Sequence, residues 1–134
     1  MIVLDASAAV DLVLRRGFLG AWVAERILSA EDVHAPHLID VEVAAALRRW
    51  SIAGSIPASV GRLALETFAL LPLERWPATP LLPRMWELRR RISAADATYV
   101  ALAEALRAPL VTTDQRLARA GGHRAAVVVP GEPA

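Results

Sequence analysis

An open parallel α/β sheet covered by helices on both faces is the fold this sequence predicts, and three observations carry the prediction. Short apolar runs rich in β-branched residues alternate with longer stretches of helical periodicity, as in successive βαβ units. Two of those runs, Ile2-Val3-Leu4 and Leu110-Val111-Thr112-Thr113, end on an aspartate and turn straight into a helix. Hydrophobic residues make up 55% of the 134-residue chain, a share that suits strands buried on both faces and a partner surface besides. Four to five strands are expected.

Taken in order, Ile2-Val3-Leu4 is a buried strand that stops on Asp5, and Ser7 is expected to cap the helix carrying Val10, Leu12 and Val13. Gly17 and Gly20 then punctuate a loop, and Leu19, Trp22, Val23 and Ile27 mark a second amphipathic helix. Val33-His34-Ala35 is the second strand. Pro36 suits the first turn of a helix from His37 to about Ile52, with Gly54 as its stop. A third helix spans roughly Pro57 to Leu71, and Leu73-Glu74-Arg75-Trp76 is a weak, exposed strand. The stretch Pro77 to Pro83 is a loop, followed by a short helix that runs into Arg89-Arg90-Arg91. Ser93-Ala94-Ala95-Asp96 has a capping-box spacing and opens a helix through Leu106. After the strand that ends at Asp114 comes another helix, stopped by Gly121-Gly122, and Ala126 to Val129 is the last strand. The chain is one domain, residues 1–134, with a tail from about 130 to 134.

Composition excludes several chemistries. There is no cysteine, hence no disulfide framework and no thiolate metal site. All 15 basic residues are arginine, so P-loop and Schiff-base chemistry, which need lysine, are out of reach. Arginine is also the better bidentate ligand for phosphate. A net charge of +1 decides nothing about nucleic acid. The first residues lack a basic region ahead of their apolar run, and no uncharged stretch is long enough for a membrane span. A cytoplasmic, soluble protein without membrane association is expected.

A strand that ends in an acid and turns into a helix delivers that acid to the C-terminal rim of a parallel sheet, where ligands of open α/β folds bind. On Asp5 alone, capping is the simpler account. Asp114 repeats the design, Glu42 stands inside an apolar helix, and Asp96 sits at a helix start. If the two strands are neighbours at a switch point, these four acids can share one crevice. Such a cluster wants a hard divalent cation with oxygen ligands, Mg²⁺ or Mn²⁺. Metals held this way serve phosphoryl chemistry, activating a water and stabilising the leaving oxygen.

Four segments carry a family resemblance. Leu4-Asp5-Ala6-Ser7-Ala8, Pro36 to Asp40-Val41-Glu42, Ser93 to Ala103, and Pro109-Leu110-Val111-Thr112-Thr113-Asp114 resemble, in order, the motifs of PIN-domain ribonucleases of the VapC toxin type. The resemblance spans essentially the whole chain. It implies a PIN-like three-layer α/β/α fold, a Mg²⁺- or Mn²⁺-dependent endoribonuclease, and the toxin role in a type II toxin–antitoxin pair. By position Asp5, Glu42, Asp96 and Asp114 correspond to the family's acidic quartet and metal ligands, with Ser7 and Thr112 as supporting hydroxyls. The implied partners are an RNA substrate, a second copy of the chain and a VapB-type antitoxin in a hetero-oligomer. DNA is reached only through the antitoxin, because no helix-turn-helix signature occurs in this chain.

Arg116 is the basic residue expected nearest to RNA. The run Arg89 to Arg91 reads more simply as a solvated helix end matched to the dipole. Asp11 and Asp40 are expected to face solvent, the three histidines to have ordinary roles, and Trp22, Trp76 and Trp86 to serve core or dimer packing. A phosphoaspartate phosphatase would want a second aspartate where Ser7 stands, and a receiver domain would want a lysine. The remaining alternative is a catalytically silent PIN-like module that binds RNA or protein without cutting.

Overall fold

The computed structural model describes residues 1–131; the last part of the expected tail, residues 132–134, lies outside the described residues. Five parallel strands, β1 (Ile2–Leu4), β2 (Val33–Pro36), β3 (Leu73–Trp76), β4 (Leu110–Val111) and β5 (Val127–Val128), form one sheet in the order β3-β2-β1-β4-β5. From β1 the chain steps outward twice to one side, returns through β4, and steps outward on the other. The topological switch point therefore falls between β1 and β4, the two strands that lead into Asp5 and Asp114.

Among the described residues seven helices cover the sheet: α1 (Ala6–Val13), α2 (Gly17–Leu28), α3 (Leu38–Ile52), α4 (Ala58–Ala69), α5 (Leu82–Glu87), α6 (Ala94–Leu106) and α7 (Gln115–Arg119). Right-handed crossovers put α1 to α4 on one face and α5 to α7 on the other. The packing agrees, with α1 against α2, α3 and α4, and α5 against α6. The core lies where β1 and α6 meet. Ile2, Val3 and Leu4 are buried, and so is every residue of α6 from Ala97 to Ala103. That run is too apolar for a one-sided helix, which is why it sits between the sheet and α5.

Local departures from the expected pattern have physical causes. Pro36 does not open a helix but closes β2, opposite Trp76 on the edge strand β3, and His37 donates its N–H to the Trp76 carbonyl at 2.9 Å. Gly20 is not in a loop but inside α2, where an added Cβ would stand 2.8 Å from the Asp11 carbonyl oxygen. Its missing side chain lets α2 lie against the end of α1. Within the expected loop, Thr79–Leu81 forms a 3₁₀ turn that leads directly into α5. Ser7 lies inside α1 rather than at its cap. No helix among the described residues is long and apolar enough to cross a membrane.

Candidate active site

The ends of β1 and β4 deliver Asp5 and Asp114 to one crevice of about 540 Å³, where Glu42 from α3 and Asp96 from α6 join them. All four acids singled out in the sequence line this space. Asp5 occupies the N-cap position of α1, yet its side chain accepts no capping hydrogen bond. It accepts instead from Ser7 Oγ at 2.7 Å and from Thr112 Oγ1 at 2.6 Å, both on Oδ2. Each hydroxyl spends its only proton on Asp5, so the 3.0 Å approach of Ser7 to Thr112 is a contact and not a further bond. Ser7 Oγ accepts the Thr113 N–H at 3.4 Å, and Thr112 Oγ1 accepts the Asp114 N–H at 3.0 Å. The two strand ends are thus stitched together through the carboxylate between them. Oδ1 of Asp5 is left without a hydroxyl partner.

Asp5 is only 6% exposed, and burial pushes its carboxyl above the ordinary range against the pull of the two hydroxyls, with Asp96 adding to the rise. Glu42 is raised as well, by burial first, then by the charges of Asp5 and Asp96 against the lowering effect of nearby Tyr99. For both carboxyls desolvation outweighs mutual repulsion. Tyr99 itself is fully buried on α6. Its hydroxyl closes no hydrogen bond of normal geometry, although burial and the neighbouring Glu42 push its ionisation up. Nothing in the local sequence marked it, since an aromatic at helical spacing reads as core.

Asp96 and Asp114 are each part of a cap. Ser93 Oγ accepts the Asp96 N–H at 3.1 Å, and the Asp114 carboxylate accepts the Arg116 N–H at 2.9 Å. The Arg116 guanidinium then spans the two acids, 3.0 Å from Asp114 and 3.7 Å from Asp96. It lies beside the crevice, bound to carboxylates. Asp11 corrects the expectation of a solvent-facing acid. It is 4% exposed, lines the crevice, accepts from Thr113 Oγ1 at 2.7 Å and pairs with Arg16 at 2.8 Å. Its alignment with Ser7 and Val10 on one helical face was the signal available in the sequence. Asp40 is half-exposed and held by Arg75 at 2.8 Å.

The donor set is all oxygen, and it suits a hard divalent cation. Two of its carboxyls are raised by burial first and by neighbouring carboxylates after it, which a bound cation would offset, and a buried phenol beside them lacks a partner. A second group, Asp32, His34 and Glu74, places three ligand atoms within 4.8 Å of one another and closer than the crevice acids do among themselves. Its histidine is not ordinary. His34 Nδ1 accepts the Trp76 indole N–H at 2.9 Å, and Nε2 pairs with Asp32. Because indole only donates, the neutral ring carries its proton on Nε2, and no lone pair is free for a cation. Trp76 thus packs on the core as expected, whereas Trp86 is 68% exposed with Arg89 over its ring.

A parallel sheet with carboxylates gathered at its switch point defines a class of acidic-crevice α/β domains. The PIN domain family model matches residues 2–123. VapC ribonuclease Mb0985 of Mycobacterium bovis is 44% identical over 129 residues, covering 96% of this chain and 98% of that protein. Ribonuclease VapC12 of Mycobacterium tuberculosis is 47% identical over 127 residues, covering 95% and 97%. The crystal structure of VapBC2 from Rickettsia felis, bound to a DNA fragment from their promoter, superposes with a TM-score of 0.69 at 17% identity, covering 96% and 98% of the two chains. The chain belongs to the PIN-domain family and, within it, to the VapC ribonucleases.

Proposed function

We propose that this protein is the toxin of a type II toxin–antitoxin pair, an endoribonuclease that hydrolyses RNA phosphodiester bonds with Mg²⁺ or Mn²⁺ held by Asp5, Glu42, Asp96 and Asp114. The observation that carries the reading is the buried Asp5, bonded by Ser7 and Thr112 and facing three further acids in one crevice. When bound, the cation supplies an activated water and neutralises charge at the scissile phosphate. The carboxylates act as ligands and not as nucleophiles. Ser7 and Thr112 fix the rotamer of Asp5, so the ligand oxygen is positioned before the ion arrives. Tyr99 lies behind Glu42 and favours its ionised form, the form the ion needs, although its hydroxyl closes no hydrogen bond of normal geometry.

The names of the relatives support a ribonuclease, and the VapBC2 neighbour supports an antitoxin partner of the VapB type. A groove of about 520 Å³ between α1 and α4, lined by Leu12, Val13, Val60, Leu63 and Leu71, suits the apolar face of an antitoxin segment. An antitoxin arginine reaching the crevice would compete for the same acids. The purified, antitoxin-free chain is expected to cut single-stranded or structured RNA with Mn²⁺ and to stop in chelator, and Asp5→Ala is expected to be inactive. Activity that survives chelation sinks the mechanism. RNA binding without any cut under these conditions returns the chain to a silent binding module.

A further inference from the structure

We infer that Arg90, Arg91 and Arg119 form a basic channel that continues the acidic crevice and holds the sugar-phosphate backbone of a single-stranded RNA to one side of the cleaved bond. The inference rests on the nuclease reading and adds to it the path of the substrate. A concavity of about 530 Å³ is lined by arginines 89, 90, 91, 116 and 119, and it shares Asp96 with the crevice. Two of the five guanidiniums are already used. Arg116 spans Asp114 and Asp96, while Arg89 donates to the Trp86 carbonyl at 2.9 Å, the role a helix-end arginine fills. Arg90, Arg91 and Arg119 make no ion pair with any acid among the described residues.

Unpaired cations brought together in one concavity repel one another, and the arrangement is relieved when an anion enters. The walls are fixed before it does. Arg84 bonds Glu104 of α6 at 2.8 Å and the Gly122 carbonyl at 3.3 Å, which ties α5, α6 and the turn after α7 together. The stem of Arg91 lies against that turn so closely that a Cβ on Gly122 would stand 3.0 Å from its Cγ. The guanidinium of Arg91 is therefore seated and not free to sweep through solvent. The cations come from two separate segments, the end of α5 and the end of α7, and the space exceeds what one phosphate fills. It opens at Asp96 onto the crevice of acids. Arg49, also without an acidic partner among the described ion pairs, lines the crevice from α3 in the opposite helical layer. A strand lying across the acids thus has positive charge beneath it from both layers. The guanidinium fork matches phosphate oxygens bidentately, and it reads the backbone rather than the bases.

The test measures binding of a short fluorescein-labelled single-stranded RNA by anisotropy, in EDTA so that nothing is cut, across a range of salt. Each lost phosphate contact on a single strand removes about 0.7 from the slope of log K against log salt. Arg91→Ala is expected to lower the slope by about 0.7, and Arg90→Ala with Arg119→Ala by about 1.4, equally for two unrelated RNA sequences. Arg62→Ala, on α4 beside Glu66, is the control and should leave the slope unchanged. With Mn²⁺ present the channel variants should raise KM and leave kcat. An unchanged slope overturns the channel. Normal RNA binding with lost neutralisation by the antitoxin also overturns it, and assigns the arginines to an acidic protein segment. The expected slopes without cleavage in Mn²⁺ would uphold the channel and overturn the nuclease reading. A wild-type chain that binds no RNA overturns both.

Discussion

Asp5 is a carboxylate that the fold makes hard to ionise, and this has a signed consequence. Its folded value is raised above the ordinary 3.8, so the folded protein holds that proton more tightly than the unfolded chain. The stability it contributes is complete below about pH 4 and is lost as pH rises through the raised value. Asp5→Asn keeps the shape and has no proton to lose. In chelator, its melting temperature is expected to gain on wild type as pH climbs from about 4 to about 7, yet Mn²⁺ should raise it far less. An unaltered Mn²⁺ shift in thermal melts would remove Asp5 from the site. Arg116 offers the reverse case. Its guanidinium neutralises Asp96 and Asp114 from solvent, so Arg116→Ala should tighten Mn²⁺ binding modestly, roughly 2- to 5-fold by calorimetric titration and less at high salt. Tyr99 buries a hydroxyl with no partner, which costs about 1–3 kcal/mol in a closed interior. Tyr99→Phe should leave the chelated protein equally or more stable to urea, while cleavage in Mn²⁺ falls.

At the scale of elements, the approach of α2 to α1 rests on Gly20. Alanine there gains up to about 1 kcal/mol of helix propensity, but its Cβ meets the Asp11 carbonyl at 2.8 Å. Overpacking against backbone costs about 1–3 kcal/mol, so the clash should win. Gly20→Ala is expected to lose a net 1–2 kcal/mol or so in urea unfolding, within the range of overpacked sites. It should also disturb the crevice, because Asp11 both ends at this contact and lines the site. A neutral or stabilised variant would show that α2 can retreat freely. The pairing of β1 with β4 is the other decisive contact, since Leu4 opposite Val111 sets Asp5 beside Thr112.

For the whole molecule, the surface carries more apolar area than a small monomer needs. Leu70 is 84% exposed, Val41 66% and Ile52 70%, drawn from α3 and the turn that follows α4. Exposed apolar surface on this scale is a mark of protein interfaces. A symmetric dimer is the expected state of the free chain, and light scattering at micromolar concentration should report it. A monodisperse monomer there would refute the dimer. Leu63→Glu, in the groove between α1 and α4, should weaken antitoxin binding by at least tenfold and leave chelated RNA binding unchanged.

The sequence by itself determined whatever depends on neighbours along the chain. Strand, acid and helix follow one another within a few residues at Asp5 and again at Asp114, so period and turn chemistry sufficed to place both carboxylates at strand ends. The alternation of those units fixed a parallel sheet covered on both faces, and the acids at 42 and 96 were legible as carboxylates in otherwise apolar or small-residue helices. Tertiary structure alone decided what each polar atom meets. Thr112 reaches Asp5 across 107 positions and Thr113 reaches Asp11 across 102, distances over which no periodicity carries information. The same is true of Tyr99 behind Glu42 and of Arg116 between two acids. His34 gave no sign of its indole partner, which arrives from a neighbouring strand 42 residues on. Pro36 and Gly20 were misplaced for a related reason: their local preferences admit helix start or loop, and only contact with Trp76 in one case and the Asp11 carbonyl in the other selects the outcome. Local chemistry limits what a residue can do, and the free energy of packing against a distant partner chooses among those possibilities.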